Sequence, residues 1–252
     1  MKILAIDGNS ILNRAFYGIR ALSTKDGRFT NGIYGFLTIL MKLRDEVKPD
    51  GVAIAFDLKA PTFRHKMYDG YKANRHGMPP ELAQQLPVLK ELLVALGYKI
   101  ISLEGYEADD ILGTVAGMCN DGDSCFIATG DRDSFQLIRD NVTVLLPHTK
   151  MGKTTTEIYT PQRLMDEYGV APLQMIDIKA LQGDASDCIP GVAGVGQKTA
   201  GDLIQKFGTI KNIYDNIDTL EIKENLKNKL LNDEEKAFLS YTLGTIINNV
   251  PI

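Results

Sequence analysis

The chain has 252 residues, 44% of them hydrophobic and 24% charged, a balance that fits one large packed domain or one and a half and excludes a disordered chain. No run of 18 apolar residues exists, the first apolar run meets an acid at Asp7, and Cys119, Cys125 and Cys188 show no CxxC spacing, which argues against a membrane span, a signal peptide, a disulfide framework and a zinc site, and for a cytoplasmic chain. The 28 basic and 32 acidic residues leave a net charge of −4, yet setting aside nine acids that are grouped below leaves 28 against 23, so the sign does not exclude a nucleic-acid partner.

In chain order, residues 2–6 read as a buried strand that ends at Asp7. A helix is expected over 32–47, where Ile33, Phe36, Leu37, Leu40 and Leu43 share a stripe, and a second strand over 52–56 ends at Asp57. Residues 57–79 are basic and poor in aliphatics, and fit no ordinary core. The leucines of 80–96 form another helical stripe, stopped by Gly97. A third strand over 99–103 leads to Glu107, Asp109 and Asp110, with a helix over 108–118. The fourth, over 125–129, passes through Gly130 to Asp131 and Asp133, and a fifth over 142–146 ends at Pro147 without acids.

From Thr160 the pattern turns helical: 161–168, 172–182, 197–207, 220–231 and 233–248, interrupted by a stretch rich in glycine and acids at 183–196. Alternating apolar strands and helices imply an α/β fold with a parallel central sheet flanked by helices. The division expected is an α/β core over 1–160 and a helical region over 161–252.

Ligands of such sheets bind beyond the carboxyl ends of the strands, so the acidic strand ends should gather on one edge. One Asp after a strand is ordinary helix capping, whereas four acidic strand ends in succession point to a site. Nine carboxylates (Asp7, Asp57, Glu107, Asp109, Asp110, Asp131, Asp133, Asp184 and Asp187) would repel one another strongly unless cations lay between them. Oxygen-only donors favour Mg²⁺ or Mn²⁺, and so many acids suggest two ions, the arrangement that splits phosphodiesters. A phosphatase with a nucleophilic Asp after its first strand would want a second Asp at position 9, which is Asn.

Several motifs run in one order: Asp7-Gly8 with Arg14-Ala15-Phe16; Ala55-Phe56-Asp57 with Thr62-Phe63-Arg64; Tyr71-Lys72-Ala73-Asn74-Arg75. Gly105-Tyr106-Glu107-Ala108-Asp109-Asp110, Thr129-Gly130-Asp131-Arg132-Asp133, Gly183-Asp184-Ala185-Ser186-Asp187 and Ile189-Pro190-Gly191-Val192 through Gly196-Gln197-Lys198-Thr199-Ala200 follow. Together they resemble the 5′-nuclease (flap endonuclease) family, closest to the amino-terminal 5′-3′ exonuclease domain of the bacterial DNA polymerase I family. Cys188 departs from it, since that family usually carries Asn there.

The resemblance implies a PIN-like core and a hydrolase of DNA replication and repair that cuts phosphodiesters at 5′ flaps, nicks and branches. Asp7, Asp57, Glu107, Asp109 and Asp110 would hold or orient one Mg²⁺, and Asp131, Asp133, Asp184 and Asp187 a second. It also implies an arch over about 59–90, through which the 5′ strand passes, with Lys72, Arg75 and Arg14 as active-site bases. Lys72 and Arg75 stand i, i+3 and would share a helix face; Tyr71 would stack on a base and Arg64 contact DNA. The turn at 191–200 is not a nucleotide-binding loop, since GxxGxG is not GxGxxG. Instead Gly191, Gly194, Gly196, Gln197, Lys198 and Thr199 would grip duplex backbone in a helix–hairpin–helix manner, with room for a monovalent cation. The partners implied are branched or flapped DNA and a DNA polymerase in the same chain or in trans, with a monomeric protein and no membrane. Two rival readings are a non-catalytic branched-DNA binder, which would have lost carboxylates, and a PIN-like ribonuclease, which would lack the glycine hairpin.

Overall fold

The computed structural model of the chain describes residues 1–75, 77–150 and 153–252. It comprises two compact units: one of Met1–Thr62, Gly77–Thr160 and Ile246–Ile252, the other of Phe63–His76 and Pro161–Thr245.

The first unit is built on a six-stranded sheet: β1 (Lys2–Asp7), β2 (Gly51–Ala55), β3 (Lys99–Ile101), β4 (Ser124–Ala128), β5 (Val142–Lys150) and β6 (Lys153–Tyr159). Their order across the sheet is β3-β2-β1-β4-β5-β6, with all neighbours parallel except β5 and β6. Continuous apolar runs such as Leu4–Ile6 are fully buried because helices cover the sheet. The strand order reverses between β1 and β4, the switch point where a crevice opens at the carboxyl ends. Asp7 ends β1 and Asp131 follows β4, one on each side of that crevice.

Helices Gly8–Gly18 and Asn31–Val47 pack on the sheet through Ile11, Leu12, Phe36, Ile39, Leu40 and Leu43. The expected helix over 80–96 is two, Pro80–Ala83 and Gln85–Ala95. Helix Gly8–Gly18 and strand β6 were not foreseen, and β5 runs on through Pro147. Pairing of β5 with β4 stops at Leu145, so at Pro147 only β6 lies alongside.

Helices Pro161–Tyr168, Gln174–Gln182, Gln197–Phe207, Ile210–Asp215, Glu224–Asn232 and Glu234–Gly244 form the second unit. They close over Ile178, Leu181, Val192, Leu203, Ile204, Ile213 and Leu230. The segment expected as an arch within the α/β core is divided between the units. Residues 63–76 cluster with the helices because Tyr71 packs with Ile189 and Leu243.

Candidate functional site

Five carboxylates of the first unit share one electrostatic field. Asp7 is 6% exposed; its Oδ1 accepts the Ser10 amide at 2.9 Å, capping the helix that follows, and its Oδ2 accepts the Thr129 hydroxyl at 2.9 Å. Burial pushes the Asp7 carboxyl up to about 7, against those two bonds and with the added charge of Asp57 and Asp131. Asp57, exposed after β2, accepts the Ala108 amide at 2.8 Å while its own amide donates to Asn9 Oδ1 at 3.0 Å. Asp131 accepts the Asp133 amide at 2.9 Å and caps the short helix Arg132–Leu137. Asp109 lies in the first turn of helix Ala108–Gly117. Burial drives its carboxyl well above the carboxylate range, and Asp7, Asp131, Asp133 and Asp57 push the same way. Its Oδ1 is buried without a hydrogen-bond partner among the described residues.

Asp110 does not fit the ligand role expected of it. It is fully buried, and each oxygen is taken by a backbone amide: Oδ2 by Glu107 at 3.0 Å and Oδ1 by Ile247 at 2.9 Å. Glu107, 8% exposed, stands at the N-cap of the same helix. Arg14 also differs from a free active-site base. Its guanidinium donates to the carbonyls of Pro147 (3.2 Å) and Gly130 (2.7 Å) and lies 3.2 Å from His148 Nδ1, bracing the loop after β4 against β5. Burial lowers its pKa.

Residues that sequence reasoning passed over are Thr129, Ser10 and Asn9, which orient Asp7 and the backbone at Asp57, and Lys90, half-buried over the Phe56 ring with Asp57 in its field. The Thr129-Gly130-Asp131 motif carried a signal for Thr129; the others hold no mark until the chain folds.

The second unit places its acids among cations. Asp184 Oδ2 pairs with Lys179 Nζ at 2.9 Å, and Oδ1 accepts the amide and hydroxyl of Ser186 at 2.8 and 2.6 Å. Although burial works against it, the bonds and charge of Lys179, with Ser186, lower the Asp184 carboxyl to about 2. Asp187 pairs with Arg75 and, at 3.8 Å, with Lys72.

Lys72 and Arg75 share no helix. Residues 71–74 form turns, Lys72 has φ +55°, and its amide donates to the Asp187 carbonyl at 2.8 Å. Tyr71 is 4% exposed beside Ile189 and Leu243, so its ring is not open to a base. Arg64 is 2% exposed and donates to the carbonyls of Leu243 and Thr245, each at 2.8 Å, which holds the segment to the last helix. His76, part of the same basic stretch, lies outside the described residues.

At the glycine turn, Gly194, Gly196, Gln197 and Lys198 are exposed. Helix Gln197–Phe207 has no side-chain cap at Gly196, which leaves its first-turn amides without a capping side-chain acceptor. Gly191 is no contact residue: it is buried at φ +59°, and a Cβ there would lie 2.3 Å from the Gly183 nitrogen.

Two family models match the chain: the 5′-3′ exonuclease N-terminal resolvase-like domain over residues 2–169 and the 5′-3′ exonuclease C-terminal SAM fold over 170–252. DNA polymerase I of Caldicellulosiruptor bescii is 43% identical over 253 residues, covering all of this chain and 30% of the relative. That of Bacillus subtilis is 43% identical over 252 residues, again all of this chain and 28% of the relative. The chain thus spans under a third of the length of these curated relatives. Among solved structures, the T5 D15 protein co-crystallised with metal ions is similar at TM-score 0.76 and 22% identity, over 96% of this chain and 89% of that one. The catalytic core of Rad2 in complex with DNA substrate is similar at TM-score 0.59 and 19% identity, over 100% and 82%. These two likenesses bear on the fold alone. No helix among the described residues is long and apolar enough to cross a membrane.

Proposed function

The chain belongs to the 5′-3′ exonuclease family, a family of hydrolases, and on that premise we propose that it cleaves phosphodiesters at 5′ flaps, nicks and branches in duplex DNA with Mg²⁺, for which Mn²⁺ can substitute. One observation carries this reading: a buried, unpartnered Asp109 Oδ1 in the field of four further carboxylates. Such a group is costly without a cation, and an all-oxygen donor set suits a hard divalent ion. Asp7, Asp57, Asp109, Asp131 and Asp133 would hold it. When bound, Mg²⁺ lowers the pKa of an attacking water and takes up charge on the leaving oxygen.

The remaining roles fall to the chain's own residues. Thr129 and Ser10 fix Asp7, and Asn9 fixes the backbone at Asp57. Lys72 and Arg75 would exchange Asp187 for a phosphate of the DNA strand, offering it two positive charges. The uncapped first-turn amides at Gly196–Thr199 would take a phosphate of the duplex without reading its bases. A DNA polymerase is the natural working partner, since the relatives bear that name and extend well beyond this chain's length.

A labelled 5′-flap duplex tests the reading. Cleavage near the flap junction with Mg²⁺ or Mn²⁺, and none in EDTA, is expected. Flap binding without cleavage in Mg²⁺ would favour a non-catalytic binder instead.

A further inference from the structure

The segment after Thr245 crosses the first unit close to two acid-bearing elements, and three of its amides end on side-chain acceptors there. Ile246 donates to Gln136 Oε1 at 2.9 Å, Ile247 to Asp110 Oδ1 at 2.9 Å and Val250 to Thr114 Oγ1 at 3.0 Å. All three acceptors are buried, as are the side chains of Ile246 and Val250. The approach is backbone to backbone. A Cβ at Gly113 would lie 2.9 Å from the Ile247 carbonyl, and one at Gly117 2.9 Å from that of Asn248.

Each acceptor has a second bond that leads toward the acids. Gln136 Nε2 donates to the Asp133 carbonyl at 3.0 Å, Asp110 Oδ2 accepts the Glu107 amide, and the Thr114 hydroxyl donates to the Asp110 carbonyl at 2.8 Å. One stretch of backbone is therefore bonded to the helix bearing Asp109 and to the short helix that Asp131 caps and that carries Asp133.

We propose that residues 246–250 are a strap that fixes these two acid-bearing segments relative to each other, so that divalent-cation affinity depends on a segment that offers no ligand of its own. The inference rests on the metal-binding reading above. Physically, two carboxylates that repel each other drift apart unless their backbones are held, and a cation gains most from oxygens already in place. Thr114, Gln136 and Asp110 act in this scheme as positioning residues. Loss of such support to ligands costs about 10–100-fold in metal affinity.

The test is Mn²⁺ binding to the whole chain without DNA or turnover, read from the electron paramagnetic resonance of free Mn²⁺. Thr114→Val keeps shape but removes the acceptor for Val250, and Gln136→Leu removes that for Ile246. Each should weaken Mn²⁺ binding about tenfold, while Thr114→Ser, which keeps the hydroxyl, should stay within about threefold of wild type. Should wild type bind no Mn²⁺, the functional reading falls and takes this inference with it. Should wild type bind, and Thr114→Val and Gln136→Leu bind equally well, the strap alone is overturned. If Thr114→Val does not fold, hydrogen exchange decides. The amides of Ile246, Ile247 and Val250 should gain protection in wild type when Mn²⁺ is added, and unchanged protection overturns the inference.

Discussion

The acids of the two units carry the same chemistry and sit in opposite electrostatic states. In the first unit, Asp7 and the Oδ1 atom of the half-buried Asp109 are buried among like charges, and both carboxyls are pushed upward, Asp7 to about 7. In the second, Asp184 is held by Lys179 and lowered to about 2, and Asp187 sits between Lys72 and Arg75. A carboxylate that carries its own cation contributes to the fold. One buried without a cation stores a cost that a ligand can relieve. An acidic motif thus gains functional meaning from the partners it is denied as much as from its spacing.

Charge removal should act in opposite directions on the two units. Asp131→Asn retains an oxygen to cap Asp133 but withdraws a charge from the field of Asp7 and Asp109. Flap cleavage should fall by about 10³-fold or more, the scale of losing a group that holds the catalytic cation. Its melting temperature in EDTA should nevertheless rise. The matched change Asp184→Asn should lower melting, because it deletes a stabilising pair. Melting shifts of the same sign for both variants would dissolve the contrast.

Next in size is Lys179→Met. Lys179 is 6% exposed, so its loss strands the Asp184 carboxylate without a cation, left with the bonds from Ser186 and a longer one from the Asp187 amide. A destabilisation of about 2–3 kcal/mol is expected in urea unfolding, below the full figure for a buried pair because Asp184 keeps some contact with water.

The same two states predict two pH windows. Raised carboxyls favour the fold while protonated, so the contribution of Asp7 and Asp109 is complete below the unfolded value near 4. It is lost as pH rises through the folded value, about 7 for Asp7. Melting temperature in EDTA should therefore decline between about pH 5 and 7.5, by about 3 °C or more, and excess Mg²⁺ should cancel the decline. Asp184, lowered to about 2, contributes above the unfolded value near 4 and loses that contribution as pH falls through 2. A separate acid-side loss should follow, unaffected by Mg²⁺ and absent in Asp184→Asn.

Much of this was legible because buried parallel strands are continuous apolar runs, and an acid at their ends has few structural excuses. Capping and convergence proved compatible: Asp7 and Asp131 each cap a helix and also belong to the shared field. Strand β6 escaped notice because Lys-Thr-Thr-Thr-Glu is polar, as an edge strand can be. Helix Gly8–Gly18 was hidden by glycine and asparagine in its first turns. Asp109 and Asp110 are neighbours that no pattern distinguishes; only the fold turns one into the shared field and the other onto Ile247. Charge misled at Arg64, whose partners are carbonyls about 180 residues away in sequence.

The smallest expected effect concerns Cys188, the departure noted in the Asp184–Ile189 loop. The loop closes through a pair of backbone bonds between Asp184 and Ile189, both at 2.9 Å, and Cys188 adopts φ +56° to complete the turn. For most side chains that left-handed conformation costs about 1–2 kcal/mol, because Cβ crowds the following carbonyl; asparagine tolerates it through local hydrogen bonds of its short amide. Cys188→Asn should therefore stabilise the chain by about 0.5–1 kcal/mol, near the gain seen when a residue suited to its backbone replaces one that is not. Cys188 adjoins Asp187 of the second unit, so its replacement leaves the acids of the first unit as they are. Urea midpoints should rise while the decline of melting with pH in EDTA keeps its position. An unchanged or lower midpoint would mean that the turn is relaxed with cysteine and that its backbone angle carries no cost.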